Sequence, residues 1–304
     1  GLDALHTLFD TTPVTATGDT LPPAPHPVAV APLRDLVDEI ERGGKGLVMC
    51  MGKGGVGKTT VAAAIAVALA ERGHDVHLST TDPAAHLTET LQGGVAHLRV
   101  SRINPAEASQ QYRDRVMASK GAQLDEAGRA TLAEDLRSPC TEEVAVFQAF
   151  SKVIHESRST FVVLDTAPTG HTLLLLDATG SYHRDIARQM GDGGHYTTPL
   201  MRLQDPAPPK ALLITPAATT PVREAAELQN DLERAGIHPW AWVINNSVAA
   251  ANPTNPLLRR RAAAEITQID TVRTKYANHC AVIPLLANEP VGIPALEALT
   301  APPD

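Results

Sequence analysis

Long apolar runs and an excess of positive charge are missing from this 304-residue chain, and cysteine is scarce. The longest apolar run, Val61 to Ala70, has ten residues, short of the roughly 18 that a membrane span needs. Three cysteines occur, Cys50, Cys140 and Cys280. So sparse a set, without a C-x-x-C pair, supplies neither a disulfide framework nor a structural zinc site, and it suits a reducing cytosol. With 26 Lys and Arg against 34 Asp and Glu, the formal net charge is −8. That sign argues against a chain that coats nucleic acid, and no nucleic-acid partner is expected. The opening residues lack the charged start and apolar core of a secretory signal, so none is expected. It begins Gly-Leu-Asp rather than with Met, and the expectation is an excised or processed part of something longer. What remains is ordinary globular material, 43% hydrophobic and 20% charged, long enough for two domains or one large α/β unit.

Residues 11–32 are rich in Pro, Thr and Ala with almost no charge. They cannot bury enough apolar surface to order themselves, so residues 1–31 read as a linker and N-terminal segment. A short helix follows over Pro32 to Arg42, with Leu33, Leu36, Val37 and Ile40 on one face. Strands are expected at Gly46 to Met51, a continuous apolar run and hence buried, and at Asp75 to Thr80, His97 to Ile103, Phe161 to Asp165, Ala211 to Thr215, Trp240 to Asn245 and Ala281 to Leu285. Helical segments separate them. Fully apolar strands alternating with helices predict an α/β fold, a mostly parallel sheet covered by helices on both faces. Residues 105–158 hold helical pattern and no convincing strand, including Glu142 to Ile154 with Val146, Phe147, Phe150 and Ile154 apolar. They read as a helical insertion at the top edge of the sheet, within one domain spanning 32–304.

The run Gly52-Lys53-Gly54-Gly55-Val56-Gly57-Lys58-Thr59-Thr60 matches G-x4-G-K-[ST]. It stands where the motif has meaning, after a buried strand and at the start of a helix. Glycines let backbone N–H groups fold around phosphate oxygens, and the helix N-terminus adds partial positive charge. Lys58 neutralises the β and γ oxygens, and the Thr59 hydroxyl suits Mg2+. Two acidic residues end strands on the side where open α/β sheets bind ligands. Asp165 suits a carboxylate that orients Mg2+ through water, and Asp82 suits a residue that positions an attacking water; for either, a helix N-cap is the competing use.

With these motifs in place, the chain resembles the arsenite/antimonite pump-driving ATPases, a group of deviant P-loop ATPases, from about Leu47 to Leu299. Lys53 resembles the extra lysine that, in that group, reaches across a face-to-face dimer to the partner's phosphates. Ser79 to His86, STTDPAAH, resembles their switch I segment. Asp165 to Thr172, DTAPTGHT, resembles their metalloid-signalling switch II, and Arg137 to Ile154 their metalloid-binding helix. The resemblance implies a P-loop NTPase fold, with ATP and Mg2+ as cofactors. It places adenine near Asn245 and a loop led by Pro284. Read from the residue alone, the Asn245 amide either reads a base edge or caps a turn. The family usually carries two homologous halves in tandem. One P-loop after a linker resembles the second half, to be completed by the first half or a second copy.

The resemblance also implies an As(III) or Sb(III) site. These ions are thiophilic, so cysteine is the natural ligand. Cys50 and Cys280 lie within strands and read as packing. Ser138-Pro139-Cys140 reads as N-cap, N1 and N2 of a helix, which puts Cys140 in a first turn that favours thiolate, partly opposed by Glu142 and Glu143. His171, six residues after Asp165, joins Cys140 as a candidate, or is an ordinary helix-start histidine. Ser138 is the weaker third. These make half a site, awaiting the other half.

The expected function is therefore an ATPase subunit of an arsenite/antimonite efflux pump, cytoplasmic and held at the inner face of the membrane through that pump. A nucleotide-gated regulatory half without turnover is the alternative. A tail-anchored-protein targeting ATPase is the other; against it stand the missing C-x-x-C and a count of only five Met for a groove.

Overall fold

The computed structural model describes residues 31–82, 87–166 and 209–301, apart from the side chains of residues 139, 140 and 143. Seven strands, β1 (Gly46–Met51), β2 (Val76–Thr80), β3 (Leu98–Arg102), β4 (Phe161–Asp165), β5 (Lys210–Thr215), β6 (Ala241–Ser247) and β7 (Cys280–Pro284), form one sheet. Their order is β3-β2-β4-β1-β5-β6-β7 and every pairing is parallel. All seven lie where the apolar runs predict them, with ends shifted by one or two residues at most. The chain leaves β1 towards one edge and later builds the other edge outward from β5. That reversal opens the crevice at the C-terminal end of β1 where α/β sheets bind ligands.

Strand alternation feeds two cores. Val48 and Cys50 of β1, Phe161 and Val163 of β4, Leu212 and Ile214 of β5 pack on one face. Leu47, Met49 and Met51, Val162 and Leu164, Ala211 and Leu213 pack on the other. Both faces are apolar because parallel crossovers cover both. The first face is covered by α1 (Leu33–Glu41), which buries Leu33, Leu36, Val37 and Ile40, and by α2 (Lys58–Glu71). Helix α2 is buried from Val61 through Ala70, and its many alanines allow it close to the sheet. A charge placed there would be desolvated without a partner, costing several kcal/mol. A short α3 (Leu87–Leu91) follows β2.

Residues 105–156 form three α-helices: α4 (Pro105–Ser119), α5 (Glu126–Asp135) and α6 (Pro139–Glu156). The first two are capped from the sequence: Asn104 Oδ1 accepts from Ala106 N at 3.0 Å and Asp125 Oδ1 from Gly128 N at 2.8 Å. Helix α6 leads directly into β4, and its Phe150, Val153 and Ile154 enter the second core, so it covers the sheet face as a crossover helix. Beyond β5, α7 (Thr219–Arg234) and α8 (Pro256–Thr271) complete that layer, and α9 (Ile293–Ala298) packs against α2. Among the described residues, no helix is long and apolar enough to cross a membrane.

Candidate functional site

The loop Gly52 to Gly57 joins β1 to α2, and two of its glycines are required by close approaches. A Cβ at Gly52, where φ is +151°, would lie 2.5 Å from the carbonyl oxygen of Ile214 in β5. At Gly57, where φ is +90°, it would lie 2.1 Å from Nδ2 of Asn245. Gly57 is the N-cap of α2 in the left-handed conformation, so the first N–H groups of the helix face the loop without a side-chain cap. Unpaired donors at a helix start, with the helix dipole behind them, make an anion site.

Lys58 is buried, and its Nζ donates to the Lys53 carbonyl at 2.9 Å, bridging the loop. Thr59 and Thr60 follow at half-buried positions in the first turn. Thr59 Oγ1 donates to Asp165 Oδ2 at 2.8 Å. Asp165 closes β4, fully buried; its Oδ2 also accepts from Thr80 Oγ1 at 3.1 Å, while its Oδ1 has no hydrogen-bond partner among the described residues. Burial pushes the Asp165 carboxyl above its ordinary value; the hydroxyls of Thr59 and Thr80 and the Lys58 ammonium act the other way. A buried carboxylate oxygen left unpaired costs on the order of 1–3 kcal/mol or more. A hard cation beside the Thr59 hydroxyl satisfies that donor set, so these residues fit Mg2+.

Asp82 stands just beyond β2, and its backbone N–H donates to Thr80 Oγ1 at 3.0 Å. The neighbouring ladder continues past the strand ends, with Thr81 N on Asp165 O at 3.0 Å. Thr166 is tied down as well, its hydroxyl donating to Cys50 O at 2.9 Å. Asp82 and Asp165 are thus held at neighbouring strand ends beside the loop.

Lys53, expected to reach a partner, pairs with Glu224 of α7. Both ends are partly solvated, the lysine side chain 56% exposed, so the pair is worth at most about 1 kcal/mol and is easily released. Asn245, for which the sequence leaves two uses open, donates from Nδ2 to the Val56 carbonyl at 3.0 Å and braces the loop from β6. Pro284 ends β7 opposite Ser247, on the same side of the sheet. A buried carboxylate secures that end: Glu265 accepts from Ser247 Oγ at 3.1 Å and from Ala249 N at 3.0 Å.

The candidate metalloid residues divide. Ser138 is the N-cap residue of α6 with Pro139 at N1, as the sequence predicts. Its hydroxyl lies 3.0 Å from Thr141 Oγ1 and caps no backbone N–H. Cys140 occupies the first turn of α6, but its side chain, like all of His171, lies outside the described residues. Cys50 is fully buried, which with the Asp165 charge pushes its thiol far above the usual range; burial raises Cys280 to about 11. Neither supplies thiolate readily.

Sequence reasoning missed Thr80, Glu224 and the bracing role of Asn245. The doubled threonine in S-T-T-D was the visible signal for the first, but only strand register selects which threonine faces Asp165. Nothing in the spacing points from Lys53 to Glu224, which are 171 residues apart.

Residues 45–203, just over half of the chain, match the model of the anion-transporting ATPase family. An arsenical pump-driving ATPase of Escherichia coli is 58% identical over 301 residues, covering 98% of this chain and 51% of that protein. An arsenical pump-driving ATPase of Acidiphilium multivorum is 62% identical over 267 residues, 88% of this chain and 46% of that protein. ATPase GET3C of Arabidopsis thaliana is 37% identical over 167 residues, 45% of this chain and 42% of that protein. The chain spans about half the length of the curated relatives it matches.

Proposed function

This chain belongs to the anion-transporting ATPase family, and on that premise we propose that it binds and hydrolyses Mg-ATP as a subunit of an arsenite/antimonite efflux pump. The observation that carries the nucleotide chemistry is the arrangement beneath the loop. Thr59 and Thr80 both occupy Asp165 Oδ2, and the buried Oδ1 is left for a ligand.

The loop amides and the start of α2 bind the phosphates. Lys58 exchanges its bond to the Lys53 carbonyl for the β and γ oxygens. Thr59, whose hydroxyl donates to Asp165, and Asp165 itself would hold Mg2+. Bound there, Mg2+ would supply charge neutralisation at the transferring phosphoryl group. Asp82 orients the water for in-line attack. Lys53 leaves the weak pair with Glu224 and reaches the phosphates of a facing subunit, either a homologous half or a second copy. Asn245 has its amide N–H committed to Val56, so its carbonyl oxygen is the atom left to accept from an adenine amino group beside the Pro284 loop.

As(III) or Sb(III) is the effector. Cys140 is its thiolate ligand, with His171 and Ser138 beside it, because the thiols of Cys50 and Cys280 are held protonated. His171 follows Asp165 by six residues, so a metalloid bound there pulls on the segment that leaves the Mg2+ carboxylate. The pump is a membrane-embedded partner at the cytoplasmic face. One observation favours a second reading: at about half the length of its relatives, the chain works as a nucleotide-gated half that turns over only when paired.

Steady-state ATP hydrolysis with Mg2+, with and without antimonite, beside Cys140→Ser, tests the proposal. Stimulation lost in the variant supports a metalloid-gated ATPase built from two copies. Binding of ATP without turnover or metalloid response selects the regulatory half. A chain that does not bind ATP at all refutes both.

A further inference from the structure

Parallel pairing of β2 with β4 puts Thr80 in register with Asp165, so their side chains leave the sheet on the same face. Thr80 is 1% exposed. A hydroxyl has one proton to give and lone pairs to accept with, and Thr80 spends both within the site. It donates to Asp165 Oδ2 at 3.1 Å and accepts the Asp82 N–H at 3.0 Å. The preceding hydroxyl is engaged elsewhere, since Ser79 accepts from Ser101 Oγ at 3.0 Å. The following residue joins through its backbone, Thr81 N donating to the Asp165 carbonyl at 3.0 Å.

We propose that Thr80 is a positioning residue of the hydrolysis site, its one hydroxyl tying the metal-facing carboxylate of Asp165 to the backbone at Asp82. The inference rests on the nucleotide reading above and deepens it. Two hydroxyl donors on the same carboxylate oxygen fix rotation of the carboxylate and present the other oxygen. Thr59 is one donor, and it must serve the metal as well; Thr80 is the other and serves only protein groups. At its accepting end Thr80 makes a turn two residues long, of the kind Ser and Thr side chains form with backbone N–H groups. The N–H it holds is the last before Pro83, which has none. The hydroxyl therefore sets the direction in which the chain leaves β2, and with it where the Asp82 carboxylate stands relative to Asp165.

The test compares Thr80→Val, which keeps the shape and removes the hydroxyl, with Thr80→Ser, which keeps the hydroxyl. In the full chain without nucleotide or metal, hydrogen exchange of the Asp82 amide is followed by nuclear magnetic resonance. The loss of one hydrogen bond is expected to speed it about tenfold in Thr80→Val and leave it nearly unchanged in Thr80→Ser. In Mg-ATP turnover, kcat of Thr80→Val falls about tenfold or more with KM for ATP little changed, and Thr80→Ser restores it. Wild-type exchange at Asp82 in folded Thr80→Val overturns the proposal, as does a rise in KM with kcat intact. If Thr80→Val does not fold, Thr80→Ala is read by the same two measurements. If no form of the chain hydrolyses ATP, the hydrolytic reading fails for the lone chain, while the exchange comparison still decides whether Thr80 ties Asp82 to Asp165.

Discussion

Replacing Gly57 by Ala brings two separable penalties into the phosphate loop. The residue has φ of +90°, and a Cβ in that region costs about 1–2 kcal/mol. The added carbon would also stand 2.1 Å from Asn245 Nδ2, which a side chain 6% exposed cannot evade without leaving the Val56 carbonyl. Leaving those buried groups unpaired costs a further ~1–3 kcal/mol. Gly57→Ala is therefore expected to destabilise the chain by roughly 2–5 kcal/mol. Asn245→Ala alone loses the same strut and costs about 1–3 kcal/mol. In the double variant the clash has no target, so the bond is lost once rather than twice. Urea unfolding of the wild type, both single variants and the double variant closes the cycle. The expected coupling is about 1–3 kcal/mol, with the double variant more stable than the two single effects would add up to. Additivity within about 0.5 kcal/mol would show that Asn245 is not what meets the new carbon, and the bracing role would fall.

Two further predictions use titratable groups outside the loop. His77 of β2 is buried between Glu156, with Nδ1 at 2.8 Å from Oε2, and Ser101, with Nε2 at 2.7 Å from Oγ. Burial, then the Arg99 charge, holds it below the ordinary 6.5 despite the carboxylate. The unfolded chain thus takes up this proton first, and stability should fall as pH drops from about 6.5 towards the lower folded value. His77→Gln should flatten that part of the curve of unfolding free energy against pH; an unchanged slope would refute the assignment. Cys280, raised to about 11 from an ordinary 9.0, should react with iodoacetamide near pH 8 about a hundredfold more slowly than a free thiol. Cys50 should stay unlabelled until the protein unfolds, so Cys140 is modified first; mass spectrometry of the labelled peptides checks the order.

The sheet was legible because both of its faces are covered. Strands such as Phe161–Asp165 and Gly46–Met51 are then apolar throughout and stand out as runs. The strand Leu98–Arg102 lies at the edge of the sheet and is mostly exposed, so its burial was not legible from the alternation that located it. The phosphate loop was legible because its motif is contiguous and Lys58 bonds back to Lys53 within it, although the approaches that require Gly52 and Gly57 come from Ile214 and Asn245, far along the chain. Asp165 and Asp82 could be nominated from their places at strand ends, but a cap would look the same in sequence.

Inventory and local chemistry can be read along the chain. They set the parallel α/β class, the anion-binding turn, and the scarcity of cysteine that makes Cys140 the one candidate thiolate. Which distant groups share an atom is settled only in the folded sheet. Strand order places β4 between β2 and β1, and register then sets Thr80 and Cys50 on either side of Asp165. The same sheet delivers Asn245, 189 residues further along, to the back of Val56. Short-range propensity and periodicity carry no information about such pairings, because hydrogen bonds between strands depend on order and register in the folded sheet.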